Sequence, residues 1–551
     1  MDEKEWYENF DSLVPKVKLI RVDYPPNADF NLAIAAARSC YSSKLVDPDE
    51  IEEKIELARN ISSGTWQAGH HTVYQHTNFN FGISGVSRQA LWSFFHTHPF
   101  YNSEQVSQRY VPMSKAGVII PNLEDKAREV YEECIEFQMS MYEKFRNETL
   151  LPAAKEAYFE RFPSREKLTD QKKIKKYDSE IHKKTQEVAR YFSPIAMHAN
   201  LYHSINFITL ARYQSALNSS DVPTEIRYIV KKMVDLVLER NPEYKDLGLI
   251  KPSIEKERFI EHKSKSYLGS NRENELAQWR AEFDNVLGFD RTLGEDRRSR
   301  LVDYKPHAVQ EMANSVRDIL GLPRSSLSDK EAIRIVIDPS YNTLRGMTLT
   351  LDHTTKLSRA GNIPHFTFAV KLSHTADSQA QRQRMSPATR PILENVVGRQ
   401  PDYIIPSLVK ASGDQAVVEY CEGMQRIWGY RNKLIDMNVS PEMANYILPN
   451  AVAIRYRENV DLLNFAQKDT KRECLNAQEE IGRITLQQRQ DVESVHPELK
   501  GMFGPPCYLR HDSGDKPYCP EKDRYCGVPV WRAKDGEERY SIEKVMAERV
   551  I

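Results

Sequence analysis

Two segments of the chain place basic, imidazole and amide side chains at similar distances behind an alternating strand. The first, HTNFNFGISGVSRQALWSFFHTH, spans residues 76–98, and the second, HFTFAVKLSHTADSQAQRQR, spans residues 365–384. Each has a histidine, an F-x-F strand, a serine, a short helix and a closing triplet that is basic or rich in imidazole. Guanidinium groups pair with phosphate oxygens, and a cation beside a carbonyl stabilises developing negative charge. These residue types therefore suit a site for an anionic ligand.

The elements that must position these side chains are short strands and amphipathic helices. Hydrophobic residues alternate with polar or small ones over 79–83 and over 366–372, which predicts two strands with one buried face each. A helical period predicts helices over 130–145 and over 226–237, the second after an N-cap at Thr224.

Later in the chain, TEIRYIVKKM (224–233) and AQEEIGRITL (477–486) each begin an amphipathic helix. We interpret the paired segments as an internal duplication of one α/β unit, with the second copy shortened. Chance similarity between two amphipathic α/β segments is the alternative.

The composition is that of a globular protein with balanced charge. Of 551 residues, 40% are hydrophobic and 28% charged, and 77 basic against 78 acidic residues leave a net charge of −1. This balance argues against a protein that coats a polyanion, so no nucleic-acid partner is expected. No apolar run approaches the roughly 18–20 residues that span a bilayer, so no membrane partner is expected. The acidic start and the odd, scattered set of seven cysteines favour a cytoplasmic protein without a disulfide framework.

Charge-rich stretches suggest where the chain divides. We expect a first copy over 15–245, a charged linker over 246–304, a second copy over 305–500 and a loop-rich tail over 501–551. A further charged stretch, residues 154–187, lies inside the first copy, and because its charges are mixed it predicts solvated helix. We call residues 154–187 the insert and residues 501–551 the tail.

The segment GHHTVYQHTNFNFGISGVSRQALWSFFHTHPFYNSEQVSQRYV (69–111) resembles the signature of the flavin-dependent thymidylate synthases, and 373–385 resembles part of the same signature. The resemblance covers roughly residues 15–240 and 305–490. It implies an α+β fold: two tandem copies of a unit in which helices pack on a small, mostly antiparallel sheet, followed by the loop-rich tail. In that family each site is built from two chains of a homotetramer, so a homodimer of this chain is expected.

The two copies depart from the family pattern in a complementary way. The first copy keeps the family's Ser107, Arg109 and Arg190 but has His96-Thr97-His98 in place of the arginine-rich triplet. The second copy keeps Gln379, Arg382, Arg384 and Arg472, with Gln383 at the centre of the triplet and Asn445 where the first copy has Arg190. We therefore expect one composite site between the copies and one degenerate site.

The resemblance also implies the reaction and its participants. FAD would carry a hydride, and the enzyme would convert dUMP to dTMP with methylenetetrahydrofolate and NADPH. The implied catalytic residues are Ser107, Gln379 and Arg472. The implied substrate-binding residues are Glu104, Ser107, Arg109, Arg190, Gln379, Arg382 and Arg472. The implied flavin-side residues are His70, Thr72, Asn206, Arg382, Gln383, Arg384 and Asn464.

Two other functions stay open at this point. The same fold and flavin could act on another pyrimidine, which depends on whether the phosphate pocket closes around one monophosphate. A catalytically degenerate nucleotide-binding or scaffold homologue is the second alternative, because both triplets depart from the family pattern.

The tail holds a separate group of potential metal ligands. Cys507, His511, Cys519 and Cys526 supply three thiolates and an imidazole, which can complete a tetrahedral zinc site. A loop with little core gains most from a metal. The spacing is not that of paired CxxC motifs, and reduced, unliganded thiols are the alternative.

Overall fold

A computed structural model describes residues 1–20, 23–114, 117–167, 169–291, 295–349 and 351–551. The first copy contains a four-stranded antiparallel sheet in the order β1-β2-β4-β3. Its strands are β1 (Lys16–Ile20), β2 (Asn78–Ser87), β3 (Asn102–Gln105) and β4 (His198–Asn206). The alternation predicted over 79–83 is confirmed in β2, where Phe79, Phe81 and Ile83 are buried.

A small hairpin pairs β5 (Phe289–Asp290) with β6 (Glu295–Asp296). The second copy has a three-stranded antiparallel sheet of β7 (Ser299–Tyr304), β8 (His365–Ser373) and β9 (Ala453–Asp461), in that order. The central strands β2 and β8 correspond, but β2 is one residue longer. The extra residue is Gly85, which lies at the register shift between Ser84 and Val86 and whose φ of +80° favours glycine.

Helices surround both sheets and make up most of the regular structure. In the first copy they are α1 (Glu3–Asn9), α2 (Ala28–Ser39), α3 (Asp49–Glu52), α4 (Ile55–Gln67), α5 (Arg88–Ala90), α6 (Asp125–Lys144), α7 (Leu151–Arg161), α8 (Pro163–Glu166), α9 (Gln171–Ala189), α10 (Phe207–Ala216), α11 (Thr224–Arg240) and α12 (Pro242–Asp246). Between the sheets lie α13 (Ile260–Ser264) and α14 (Arg272–Leu287). The second copy has α15 (Ala308–Leu320), α16 (Asp329–Ile337), α17 (His374–Ala380), α18 (Leu393–Val396), α19 (Ser407–Ala411), α20 (Asp414–Asp436), α21 (Pro441–Asn445), α22 (Leu462–Arg472) and α23 (Glu479–Val495). The tail has α24 (Pro506–Ser513) and α25 (Ile542–Ala547). Among the described residues, no helix combines the length and the apolar character needed to cross a bilayer.

The two copies meet around an approximate twofold relation at Pro194 and Pro449, which form an isolated antiparallel bridge. The backbone bonds across it come in matched pairs. Ile195 N–H donates to Leu448 O at 2.9 Å, and Asn450 N–H donates to Ser193 O at 2.8 Å. Residues 193–196 and 448–451 therefore occupy corresponding places, and the contact between copies follows the duplication.

A buried carboxylate in each copy ties its sheet to the other copy. Glu225 on α11 accepts hydrogen bonds from Ser87 N–H at 3.0 Å and from the Tyr446 hydroxyl at 2.9 Å. Glu480 on α23 accepts the corresponding bonds from Ser373 N–H at 2.7 Å and from the Tyr191 hydroxyl. Each glutamate thus binds the serine that caps the helix after the central strand of its own copy, and it also binds a tyrosine of the other copy.

Glu225 gives the fold a pH dependence that one substitution can isolate. Burial raises the pKa of Glu225 from 4.5 to about 7. Because the folded state holds this proton more tightly than the unfolded chain, the carboxyl stabilises the fold below pH 4.5 and loses that contribution as pH rises through 7. A shift of this size corresponds to about 3 kcal/mol. We expect the unfolding midpoint in urea to fall between pH 5 and pH 7.5 by less in Glu225→Gln than in the parent protein. Equal falls in both proteins would contradict the assignment.

Two sequence-based expectations differ from the structure in detail. Thr224 is the first residue of α11 and not its N-cap, because its N–H and hydroxyl both donate to Glu442, at 2.6 and 3.0 Å. The stretch expected to be a linker, 246–304, contains α14 and the edge strand β7. Asp284 of α14 pairs with Lys371 at 2.6 Å and with Arg455 at 3.0 Å, so this segment packs on the second sheet.

Candidate functional site

The turn after β3 places Arg109 between the two copies. Its backbone N–H donates to the Ser107 hydroxyl at 3.2 Å. Its guanidinium Nε pairs with Glu187 of α9, and Nη2 donates to the backbone oxygen of Asn476 in the second copy at 2.7 Å. The carboxylate of Glu187 is only 8% exposed. Although burial acts to raise it, the charges of Arg109 and Lys184 hold the pKa of Glu187 below its ordinary value.

Gln478 connects residues predicted from different copies. Its side-chain oxygen accepts from Arg190 Nη2 at 3.0 Å and from the Gln379 amide, and its own amide donates to the Tyr191 hydroxyl at 2.6 Å. Arg190 also donates through Nε to the backbone oxygen of Glu187 at 3.0 Å. Arg190 of the first copy and Gln379 of the second copy therefore donate to the same side-chain oxygen of Gln478.

Arg472, the last residue of α22, lies beside the same glutamine. Its Nη2 donates to the backbone oxygen of Gln379 at 2.6 Å. Arg382, three residues after Gln379, pairs with Glu104 of β3 at 2.8 Å, and this is again a contact between the copies. The seven predicted substrate-side residues thus lie along one seam. We call this group the composite site: Glu104, Ser107, Arg109, Arg190, Gln379, Arg382 and Arg472.

The composite site concentrates positive charge away from water. Burial, together with the nearby Arg109 and Arg382, lowers the pKa of Arg472 to about 10. Burial and then Arg190 lower the pKa of Arg88 to about 9. Two donors at this seam, Arg88 Nε and Arg382 Nη1, are buried without a hydrogen-bond partner among the described residues. Unpaired buried donors beside repelling guanidinium groups fit an anionic ligand.

The corresponding seam on the other side of the molecule is acidic and nearly closed. Its cavity has a volume of about 20 Å³ and is lined by Asp221, Glu394, Glu442 and Asn445 among others. Glu442 and Asn445 correspond to Glu187 and Arg190 under the twofold relation. Burial and then the neighbouring Glu394 raise the pKa of Asp221 well above its ordinary range. Asn445 stands where the other seam has the guanidinium of Arg190, and no described Lys or Arg lines this cavity, so this seam is unsuited to the phosphate of a nucleotide.

The first-copy triplet forms part of an aromatic core. His96 is buried and stacks on Tyr101 with ring centroids 4.9 Å apart. His98 and His203 both bond to the Tyr213 hydroxyl, at 2.9 and 3.0 Å. Burial lowers the pKa of His98 to about 4 and that of His203 to about 3, so both rings are neutral near pH 7.

The predicted flavin-side residues lie in two groups, one on each copy. His70 and Thr72 are exposed before β2, and Arg384 is exposed with its guanidinium 5.4 Å from the Tyr101 ring. The two asparagines have local partners. Asn206 caps α10 by accepting from Thr209 N–H at 2.9 Å, and Asn464 donates to the α22 cap Asp461 at 2.7 Å. Gln383 is half-buried, in the turn after α17.

The predicted zinc ligands do not form a metal site as placed. Cys507, Cys519 and Cys526 line one cavity of about 20 Å³, and the fourth cysteine there is Cys474. His511 lies instead beside Asp512 and Asp535, at 3.3 and 3.5 Å. In the part of the chain that the structure describes, no group of three or more His, Cys, Asp or Glu side chains is arranged to hold a metal ion. His511 as a zinc ligand therefore stays a prediction; in the structure its imidazole lies beside the Asp512 and Asp535 carboxylates and not among the thiols.

Three residues of this seam were not predicted from the sequence as site residues. They are Glu187, Gln478 and Arg88. Gln478 belongs to the Ala-Gln pair at the start of the AQEEI helix, and Arg88 follows the strand of the first motif, so both had a local signal. Glu187 had none, since one more glutamate in a charged stretch looks like a solvated side chain.

The chain is similar to known proteins in two segments. The family model described as "Thymidylate synthase complementing protein" matches residues 20–243 and 300–498. A flavin-dependent thymidylate synthase of Clostridium tetani is 28% identical over 233 residues, which is 41% of this chain and 84% of that protein. One from Geobacter sulfurreducens is 31% identical over 128 residues, 22% of this chain and 53% of that protein. One from Mycobacterium tuberculosis is 30% identical over 109 residues, 19% of this chain and 42% of that protein.

The two segments matched by the family model make up more than half of the chain, and they coincide with the two sheets and their helices. The chain therefore belongs to the family of the thymidylate synthase complementing proteins, in a tandem form.

Proposed function

We propose that the chain is a flavin-dependent enzyme that converts the uracil of a deoxynucleotide to thymine, as in the conversion of dUMP to dTMP. The observation that carries the proposal is the composite site, in which arginines from both copies converge while the twofold-related seam is acidic and closed. Methylenetetrahydrofolate is the proposed carbon donor and NADPH the proposed reductant. The relatives named above support the reaction class.

Each side chain of the composite site has a proposed task. Arg109 and Arg190, with the Ser107 hydroxyl, hold the phosphate through charge-assisted hydrogen bonds. Arg472 and the Gln379 amide face the uracil edge, where a fixed cation stabilises charge that develops on the carbonyl oxygens as C5 attacks the donor carbon. Arg382, held by Glu104, closes the seam. None of these tasks needs a protein nucleophile.

FAD fits this chain through residues that still have free donors. When bound, it would supply the hydride for the reduction. Arg382 offers a buried Nη1 without a partner among the described residues, and Arg384, His70 and Thr72 are exposed. Because the resembling family builds its sites in a homotetramer and this chain holds two copies of the unit, we propose that a second chain completes the flavin site in a homodimer. Light scattering that gives the mass of a single chain would contradict the dimer.

The visible absorbance spectrum tests the proposed function directly. We expect the purified protein, or the protein mixed with FAD, to show a bound-flavin band that shifts when dUMP is added. The shift follows from a flavin and a nucleotide that share one site. A protein that stays colourless and unresponsive would instead favour a degenerate, non-catalytic homologue.

We also propose that the tail binds zinc through thiolates, with Cys474 in place of His511; the four cysteines line one cavity but would have to move closer together to form a ligand group. The support is the shared cavity of the four cysteines, together with the small core of the tail, since a metal stabilises such a segment most. Metal analysis is expected to find one zinc per chain in the parent protein and in His511→Ala, and less in Cys474→Ser. Zinc that is equally lost from His511→Ala, or not found in any of the three proteins, would contradict this ligand set.

A further inference from the structure

The loop that joins α22 to α23 is held by guanidinium groups from two distant parts of the chain. We call residues 473–478 the α22–α23 loop. The backbone oxygen of Asn476 accepts from Arg109 Nη2 of the first copy at 2.7 Å. The backbone oxygens on either side of it, those of Leu475 and Ala477, both accept from Nη2 of Arg549 in the tail, the first at 3.1 Å. Three successive carbonyl groups beside the composite site are therefore bound by the tail, the first copy and the tail again.

Arg549 is buried as deeply as a core residue. It is 1% exposed, and its Nε donates to the backbone oxygen of Ile551 at 3.0 Å. Burial, followed by repulsion from Arg161 of the insert, lowers the pKa of Arg549 to about 10, so the guanidinium is still charged near pH 7. A buried charge is costly unless polar groups bind it, and here the carbonyl oxygens of the α22–α23 loop do so. The position of Arg549 and the shape of the loop therefore depend on each other.

Helix α23 leaves space for this guanidinium. A Cβ built on Gly482 would lie 3.0 Å from Arg549 Nη1. Glu480 corresponds to Glu225 of the first copy, so the counterpart of Gly482, two residues later, is Arg227. The second copy therefore has no side chain where the tail arginine enters, whereas the first copy has a long one.

Other parts of the tail contact the same loop. Leu475 belongs to a buried hydrophobic cluster with Ile542 and Met546 of α25. The side-chain amide of Asn476 donates to the backbone oxygen of Arg524 at 2.8 Å. The tail lies outside both segments matched by the family model. A loop of the composite site is thus supported by a segment that the family pattern does not include.

An apolar side chain could fill the space of Arg549 but could not replace its hydrogen bonds. Without the guanidinium, the oxygens of Leu475 and Ala477 would lose a donor inside the protein. Buried carbonyl groups that lose a donor are unfavourable, so the peptide groups of the loop would turn toward other partners. The oxygen of Asn476 lies between these two groups, and its direction toward Arg109 therefore depends on Arg549.

We propose that Arg549 is a positioning residue of the composite site. By binding the carbonyl groups of Leu475 and Ala477, it directs the oxygen of Asn476 toward Arg109 and so fixes the guanidinium that receives the phosphate. The inference rests on the proposed function, which assigns the phosphate to Arg109. The tail would then serve substrate binding through the loop, without a contact of its own to the nucleotide.

Calorimetric titration of the full-length protein with dUMP tests the proposal. We expect Arg549→Met to raise the dissociation constant about tenfold, because a small displacement of a positioned group costs this much. Arg549→Lys should lie between the parent and Arg549→Met, since lysine keeps the charge but not the fork. Arg539→Met is the matched control: Arg539 is an exposed arginine of the tail that pairs with Glu537 at 2.8 Å, and its loss should not change the affinity.

Two further measurements separate positioning from general stability. In the Arg109→Ala background, Arg549→Met should raise the dissociation constant less than about twofold, because the residue that it positions is already missing. A role in stability alone would give the same factor in both backgrounds. Amide hydrogen exchange of residues 474–478 should also be faster in unliganded Arg549→Met than in the parent and in Arg539→Met.

The outcomes distinguish this inference from the proposed function. Equal affinity of the parent and Arg549→Met for dUMP would overturn the inference and leave the function intact, as would equal factors in the two backgrounds. Failure of the parent to bind dUMP would overturn both. If Arg549→Met does not fold, Arg549→Lys takes its place in each comparison, and affinity equal to that of the parent would again overturn the inference.

Discussion

Arg472→Ala is expected to lower turnover by about 100- to 1,000-fold, the range seen when one preorganised donor to a developing charge is removed. Arg472 donates to the backbone oxygen of Gln379 and lies among guanidinium groups that lower its pKa to about 10. Its removal leaves no carboxylate unpaired and relieves repulsion. The melting temperature should therefore stay the same or rise while activity falls, a combination that general misfolding cannot produce.

The duplication supplies the matched control for this experiment. Leu217 is the last position before the corresponding loop of the first copy, where the second copy has Arg472. Leu217 is buried, so Leu217→Arg should lower the melting temperature and should not raise turnover. Full activity of Arg472→Ala would show that the composite site is wrongly assigned. Activity gained by Leu217→Arg would show that the acidic seam is a second site.

The sequence predicts local elements and the division of site residues better than it predicts contacts between distant segments. The strand at Phe366 and the helix at Val130 follow from periodicity, which depends on neighbours in the chain. The split between Arg190 and Arg472 was visible because both copies keep recognisable motifs. The structure then joins the two halves through Gln478, a contact that no local pattern indicates.

Other features were hidden for identifiable physical reasons. Strand β7 is an edge strand whose last three residues are exposed, so its sequence has the mixed charge of a linker. His511 is four residues from Cys507 in a helix, which suited a ligand spacing, but in the structure its imidazole lies 3.5 Å from Asp535 of a distant segment. The role of the tail depends on the α22–α23 loop that it contacts, and composition alone shows only that the tail is loop-rich.

Arg109→Ala is expected to raise the KM or dissociation constant for the nucleotide by about 100-fold. The forked, charge-assisted contact stabilises the complex only when both the guanidinium and the phosphate are present. Two effects add. The phosphate loses its guanidinium, and the buried Glu187 loses its main counter-charge and faces the phosphate. Arg109→Lys should weaken nucleotide binding by only about tenfold, because lysine keeps the positive charge but loses the second donor of the fork.

The double variant Arg109→Ala/Glu187→Gln separates these two effects. Removing the carboxylate should restore the melting temperature that Arg109→Ala loses, because an unpaired buried charge is costly. Nucleotide affinity should stay low if Arg109 touches the phosphate. If affinity returned in the double variant, Arg109 would act only by neutralising Glu187, and the phosphate would have to be held by Arg190 and Lys184 instead. Nucleotide affinity and melting temperature are measured on the parent protein, Arg109→Ala, Arg109→Lys and the double variant. Together they decide whether Arg109 binds the substrate or only positions the residues that do.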